Sequence, residues 1–363
     1  MERPQVYVTV LFGPIGDAIM TAALFDDILS LDPQARFIVL ARNNARMMRD
    51  IMRAYPQVEI REIPAGLASL KVFAAMFARP CNFLALGVAG KYSARIKLFF
   101  TLLALRPGNR VIGFNDRDSG QESKLWIHQV FFFNPAERTI DNFRQLLPPL
   151  FGERAQALLG TPPQVSLALE KPAGWSHAPG SYIAIHFFGS RVIRRLPPRR
   201  MIGLLKELRR LYPTYTLVLT GSRDDRASAE DLRHAVPEVE LFIDKPLLEV
   251  GYVIEHAALY VGVDTGITHI AGVLQQKSII LSHSADPMWM PLYNPNARVL
   301  LNSTRCTCWT TGDCIVVEDG VEYRRCLVDI SDALILDSIR IAMQSNARST
   351  PGFAGKIDEK DNG

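Results

Sequence analysis

The sequence predicts an α/β chain made of two doubly wound parallel-sheet units in tandem. Three observations carry this. Short apolar runs bounded by turn residues alternate with helical segments through the first half. The alternation stops between Gly160 and Ser181, a stretch rich in Pro, Gly and Ala. It restarts at Tyr182 and runs on at similar spacing. A chain of 363 residues, 48% hydrophobic and 21% charged, is long and apolar enough for two full cores.

In the first half, Val6 to Leu11 is β-branched and alternating and reads as a strand. The loop 12–17 follows, and a helix is expected from Ala18 to Leu31 with Asp17 at its N-cap. Strands are expected at Phe37–Leu40, Val58–Ile63, Asn82–Leu86 and Arg110–Phe114, with helices at Met47–Ala54, Leu67–Ala78 and Tyr92–Leu105 between them. The last of these helices is basic and amphipathic. Residues Ile140–Phe151 read as a helix closing a domain at residue 160.

In the second half, strands are expected at Tyr182–Phe187, Tyr215–Thr220, Val239–Ile243, Leu259–Val263 and Lys277–Leu281. Helices are expected at Arg200–Leu211, Asp225–Ala235 and Leu247–Ala257, and another after Gly266. The domain 182–345 follows a linker at 161–181, and the polar tail 346–363 is expected to be disordered. Two such Rossmann-like domains facing a cleft make the GT-B architecture, with ligands expected at the carboxyl ends of the strands.

Composition and motifs exclude several classes. The formal charge of +4 is mildly basic, and no basic patch interleaved with aromatics is present, so no nucleic-acid partner is expected. The longest apolar stretch, Ile96 to Leu105, contains Lys97 and is too short to span a bilayer. The apolar run Val6 to Phe12 is interrupted at Gly13-Pro14, so no secretion signal is read there, and a cytoplasmic protein is expected. The loop Gly13-x-x-Gly16-Asp17 lacks the Gly-x-Gly-x-x-Gly pattern, and the second strand ends in Arg42-Asn43-Asn44 without an acid to hold a ribose. A nicotinamide dehydrogenase is therefore not expected.

The stretch from Leu259 to Leu274 organises the rest. A buried strand breaks at Asp264-Thr265-Gly266 and resumes as a helix whose first turn carries His269. Asp264 or Thr265 can cap that helix, and its free amides and dipole suit an anion. A plain capped helix with a surface histidine fits the same residues. After the strand at 182–187 comes His186-Phe-Phe-Gly189-Ser190-Arg191-Val-Ile-Arg194-Arg195-Leu196-Pro197, where Ser190 and a guanidinium can hold phosphate oxygens or simply face water. Asp225, in Gly221-Ser222-Arg223-Asp224-Asp225, is either a helix cap or a ribose contact. Asp17 is either a cap or a general base. Four cysteines cluster as Cys306-x-Cys308-x5-Cys314-x11-Cys326; such thiols can bind a metal, but Cys-x-Cys is a tighter bite than a zinc knuckle uses.

The order strand, Asp264-Thr265-Gly266, His269 resembles the Asp-Thr-Gly-x-x-His segment of glycosyltransferase family 9, the bacterial ADP-heptose:lipopolysaccharide heptosyltransferases. The run Cys326-Leu327-Val328-Asp329-Ile330 resembles the Cys-Leu-x-x-Ile that closes a cysteine run in many members. The loop Gly13, Gly16, Asp17 is similar to the family's Gly-x-Gly-Asp loop, with Pro14 intruding, and Arg194 stands where the family has a lysine. The resemblance implies an inverting, metal-independent sugar transferase that requires no cofactor. The donor would be a nucleotide sugar, such as ADP-heptose, and the acceptor a lipopolysaccharide core or related glycan. Asp17 would be the base. Ser190, Arg194, Asp225, Asp264, Thr265, Gly266 and His269 would hold the donor in the C-terminal domain. Peripheral contact with the inner membrane would follow from the acceptor. A branch of the family that glycosylates proteins is thought to hold iron with four cysteines, which keeps a metal at 306–326 open. A sugar-nucleotide epimerase, a protein heptosyltransferase and a non-catalytic nucleotide-sugar-binding protein are the alternatives.

Overall fold

The computed structural model describes residues 5–11, 13–42, 44–64, 66–77, 80–88, 94–115, 129–132, 134, 137–283, 293–302, 314–345 and 357–359. Contacts divide the chain into two compact units, Met1–Ala168 and Leu169–Gly363. The division falls inside the stretch expected to link them.

The first unit is a parallel sheet of β1 (Val6–Leu11), β2 (Arg36–Ala41), β3 (Val58–Glu62), β4 (Asn82–Val88), β5 (Arg110–Asn115) and β6 (Gln129–Phe132). Their order across the sheet is β3-β2-β1-β4-β5-β6. The inner residues of β1 and β2 are buried, as continuous apolar runs should be when helices cover both faces. One face packs on the helix Ile15–Leu31, where the Phe25 and Phe37 rings stack at 4.1 Å. The other carries the helices Ser69–Ala75 and Ala94–Ala104, locked by Phe73 and Phe99 at 4.3 Å. Arg144 and Asp27, both buried, form a two-toothed ion pair at 2.8 and 3.0 Å that ties the helix Thr139–Arg144 to the first helix.

The second unit repeats the plan with β7 (Tyr182–His186), β8 (Thr216–Gly221), β9 (Val239–Ile243), β10 (Leu259–Val263), β11 (Ser278–Leu281), β12 (Ala297–Leu301) and β15 (Ile357–Glu359). A hairpin of β13 (Ile315–Glu318) and β14 (Val321–Arg324) stands apart from the sheet. The sheet order is β15-β12-β11-β10-β7-β8-β9, with every neighbouring pair parallel. Both sheets therefore reverse direction beside their first strand, between β1 and β4 and between β7 and β10. In an open parallel sheet that reversal leaves a crevice at the carboxyl ends of the two strands, where ligands bind. The helix Pro198–Leu211 shows why the pattern was readable: Met201, Leu204, Leu205 and Leu208 are buried at helical spacing and the charges lie outside.

Several expectations are corrected. The first helix begins at Ile15, not Ala18, with Pro14 at its N-cap in extended backbone at φ −70°, where its missing N–H costs no helical hydrogen bond. Ile140–Phe151 is not one helix but Thr139–Arg144, Pro148–Phe151 and Glu153–Gln156, since Pro148 and Pro149 cannot continue a helix and Gly152 turns at φ +63°. Strands β6, β12, β13 and β14 and the helix Asp332–Gln344 were not anticipated. Within the tail expected to be disordered, Ile357–Glu359 pairs with Val299–Leu301 at the sheet edge. The remainder of that tail lies outside the described residues.

Candidate functional site

The reversal in the second unit gathers the residues singled out by the Asp-Thr-Gly turn. Along β10, Tyr260, Gly262 and Asp264 share one face, because side chains alternate along a strand. The Tyr260 side chain folds along the strand so far that a Cβ on Gly262 would lie 2.4 Å from its hydroxyl. That hydroxyl is buried and has no hydrogen-bond partner among the described residues. Burial, with Asp264 as a further electrostatic neighbour, drives its pKa far above the usual phenol range.

Asp264 is buried at the end of the strand, where its N–H donates to Leu281 O at 2.9 Å. The Ser282 hydroxyl donates to its Oδ2 at 3.1 Å, and His283 Nδ1 lies 3.9 Å from the same oxygen. Desolvation raises the Asp264 carboxyl to about 6, against the opposing pull of the Ser282 hydrogen bond and the Arg194 charge. Desolvation, with the charges of Arg194 and Arg324, pushes His283 down to about 4. The site thus holds a carboxylate that titrates near neutrality beside a neutral imidazole.

Thr265, not Asp264, takes the N-cap of the helix Gly266–Val273, in extended backbone at φ −148°. Its N–H donates to Thr268 Oγ1 at 3.3 Å, and the Thr268 hydroxyl donates back to Thr265 O. His269 lies in the next turn and is buried rather than on the surface; its Nδ1 is 3.2 Å from the Tyr293 hydroxyl, with the rings stacked.

The loops after β7 and β8 meet beside this turn. Ser190 and Arg194 are exposed, and Arg194 is close enough to act electrostatically on both Asp264 and His283. Gly189 has room only for hydrogen, since a Cβ would lie 2.9 Å from Arg194 O. Arg195 turns inward instead: Nε donates to Gly189 O at 2.8 Å, Nη2 lies 2.8 Å from Asp225 Oδ1, and the guanidinium covers the Phe188 ring. Asp225 is buried, with Oδ2 accepting from Ser222 N–H at 2.8 Å and from the Ser222 hydroxyl at 2.6 Å. Its oxygens are committed to closing the loop, which favours its helix-start role over ribose contact. His186, at the end of β7, is buried at 3.0 Å from Thr220 Oγ1 and is pushed down to about 4 by desolvation. Arg195, Ser282, His283 and Tyr260 were missed in the sequence. Arg195 was one of five arginines in a basic stretch, and Ser282-His283 had no motif to mark it, although both follow a strand beside the reversal.

In the first unit, the turn after β1 carries Gly13, Gly16 and Asp17. Asp17 is the third residue of its helix and not its N-cap, as the earlier start at Ile15 requires. Its carboxylate curls back over Gly13, where a Cβ would lie 1.6 Å from Oδ2. Asn44 Nδ2 donates to Gly13 O at 2.8 Å and pins this turn to the one after β2.

Of the cysteines, Cys306 and Cys308 lie outside the described residues. The Cys326 N–H donates to Cys314 Sγ at 3.2 Å, and the Cys326 thiol donates to His283 O at 3.4 Å. Among the described residues no three His, Cys, Asp or Glu side chains converge to hold a metal. None of the described helices is long and apolar enough to cross a membrane.

Residues 205–315, which cover β8 through β12 and the Asp264 turn, match a known family. The match is to glycosyltransferase family 9 (heptosyltransferase). The resemblance expected from the Asp-Thr-Gly-x-x-His segment is borne out. No curated protein matches the chain by sequence. Among solved structures, E. coli ADP-heptose lps heptosyltransferase II superposes with a TM-score of 0.66 at 17% identity, over 93% of this chain and 98% of that one. A glycosyl transferase family 9 structure from Veillonella parvula DSM 2008 gives 0.67 at 13% identity, over 94% and 98%. An iron-containing dodecameric glycosyltransferase from enterotoxigenic E. coli H10407 gives 0.52 at 16%, over 94% and 76%. At these identities the likeness is one of fold: two Rossmann-like modules of GT-B type. The family 9 match supports a role in glycosyl transfer.

Proposed function

We propose that the chain is an inverting glycosyltransferase that moves a sugar from a nucleotide-sugar donor, ADP-heptose by its resemblance, to a lipopolysaccharide core or related glycan. The observation that carries this is the Asp264-Thr265-Gly266 turn at the strand reversal of the second sheet, with a buried carboxylate that titrates near neutrality. In this reading the first-turn amides after Thr265 and the exposed Arg194 and Ser190 bind the donor diphosphate. Asp264, an acceptor of hydrogen bonds when ionised, takes donor hydroxyls rather than phosphate oxygens. His269 is held by Tyr293 against the same turn.

Asp17 takes the proton from the acceptor hydroxyl. The acceptor oxygen forms its bond to the anomeric carbon from the side opposite the diphosphate, the bond from that carbon to the phosphate oxygen breaks, and its electron pair leaves with the nucleoside diphosphate. Arg194 and the helix end stabilise that developing charge, so transfer is expected to persist in the presence of a chelator. The neighbours named above act in their own right on ADP-heptose or as glycosyl transferases; a donor of that chemistry is the first to test here. A thermal-shift series with ADP, UDP and GDP sugars is the experiment. One nucleotide sugar should raise the melting temperature of wild type and leave an Asp264→Ala variant unmoved. Equal shifts in both proteins would remove this turn from the donor site.

A further inference from the structure

The hairpin of β13 and β14 is fixed against both loops of the candidate site. β14 packs on the turn Val192–Arg194. Just beyond that turn, Arg200 Nη1 donates to Leu327 O at 3.2 Å, and its guanidinium donates also to the carbonyls of Val328 and Ile330. On the other side the Cys326 thiol donates to His283 O at 3.4 Å, in the loop after β11. The tip is held by Arg199, whose Nε lies 3.5 Å from Asp319 Oδ2. The segment 314–330 therefore bridges the loop that carries Arg194 and the loop that carries Ser282 and His283.

Arg324 stands at the base of this bridge. It ends β14, where it pairs with Ile315, and Cys326 follows close behind it. Neighbouring residues of a strand face opposite ways. Tyr323 is buried within electrostatic reach of Arg195, while Arg324 is half-buried within reach of His283. Arg194 reaches the same imidazole from the loop after β7. Two guanidiniums on separate elements thus converge on a neutral group 3.9 Å from Asp264. Like charges brought together repel, and a neutral imidazole between them does not offset the repulsion. A diphosphate does, and a planar guanidinium fork fits phosphoryl oxygens, with one cation for each phosphoryl group. A guanidinium carries several N–H donors, so a bond made within the protein leaves others for a ligand. Asp264 takes donor hydroxyls in the reading above and His283 abuts it, so the phosphoryl group nearer the sugar falls to the hairpin.

We propose that Arg324 is a further donor-binding residue, holding the sugar-side phosphoryl group of the nucleoside diphosphate while Arg194 holds the other. The inference rests on the Asp264 turn being the donor site and adds the hairpin as a wall of it. As the bond from the anomeric carbon to the phosphate oxygen breaks, its electron pair goes to the phosphoryl group on Arg324, whose cation stabilises it.

Calorimetry of the full chain with ADP and with AMP tests it. Arg324→Gln should weaken ADP binding about 10- to 100-fold and AMP binding by no more than about twofold, because AMP lacks the sugar-side phosphoryl group. Arg324→Lys keeps the charge, loses the planar fork and should lose about fivefold for ADP alone; it decides the matter if the glutamine variant does not fold. If wild type prefers UDP or GDP, the same comparison is made with UMP or GMP. Unchanged ADP affinity in every variant that folds overturns the proposal, and so does an equal loss for ADP and AMP, the mark of a residue that only supports the fold. Wild type that loses ADP through Asp264→Ala but not through Arg324→Gln removes the hairpin alone. Wild type that binds none of the three diphosphates removes the donor site and this proposal with it.

Discussion

Replacing Asp264 by Asn should make the protein more stable and less able to bind its donor. The carboxyl is moved by burial from 3.8 to about 6. Because the folded-state value is raised, the folded protein holds the proton more tightly than the unfolded chain between those two values, and stability falls as pH rises through that window. Above it, keeping the ionised carboxylate buried costs about 3 kcal/mol. Roughly half of that cost remains near pH 5 and less than a fifth near pH 4. Asparagine does not titrate, so it escapes the cost, and its amide oxygen can still accept the Ser282 hydroxyl through a bond weaker by about 1 kcal/mol. The net gain at pH 8 is about 2 kcal/mol, a rise in melting temperature of roughly 4–8 °C for a unit of this size. His283, 3.9 Å from the same carboxylate and pushed down by its surroundings, loses stability in acid in both proteins, so the net gain is read at pH 8, where His283 is neutral in the folded and unfolded states. Thermal unfolding of wild type and variant from pH 4 to pH 8 measures the effect, and donor affinity is read by calorimetry on the same samples. A variant less stable at pH 8, or a gain that does not shrink in acid, would refute the reasoning about burial.

Other outcomes follow from single contacts. Asp17→Asn removes a charge at the helix start and should change stability by no more than about 1 kcal/mol, and should keep donor affinity while turnover falls about 10²–10⁴-fold; near-normal transfer by that variant would place the base elsewhere. Arg195→Leu leaves Asp225 buried without its cation and should cost about 1.5–3 kcal/mol, seen in urea unfolding, with Arg195→Lys recovering part. Gly262→Ala drives a methyl group into the Tyr260 side chain and should destabilise by about 1–3 kcal/mol, relieved only in part by Tyr260→Phe because the ring Cζ at 2.7 Å and His186 O at 3.1 Å remain; an undisturbed Gly262→Ala would show that the tyrosine lies elsewhere.

The sheets were legible because their strands are buried on both faces. Runs such as Tyr182–His186 and Leu259–Val263 admit few other assignments. The Asp264-Thr265-Gly266 turn was legible because strand, cap and helix follow one another in sequence. What was lost depends on contacts distant in the chain or on rules of turn chemistry left unread. Nothing local distinguishes Arg195 from Arg194; only the fold brings Asp225 to one and leaves the other exposed. The hairpin of β13 and β14 has its local signal in Asp319-Gly320, whose φ values of +50° and +79° are those of a two-residue turn. Asp17 is not the cap because the helix is entered at Pro14, whose missing N–H costs nothing there. Edge strand β15 lies in a polar tail whose composition carries no strand signal.

The central claim is glycosyl transfer, and one measurement addresses it: incubation of the full chain with ADP-heptose and a lipopolysaccharide-core acceptor, with nucleotide and sugar products quantified together. The account predicts ADP released in step with heptose appearing on the acceptor, in the anomeric configuration opposite to the donor's. An isomerised donor with no ADP released, as an epimerase on this fold would give, or tight donor binding with neither product, would contradict it.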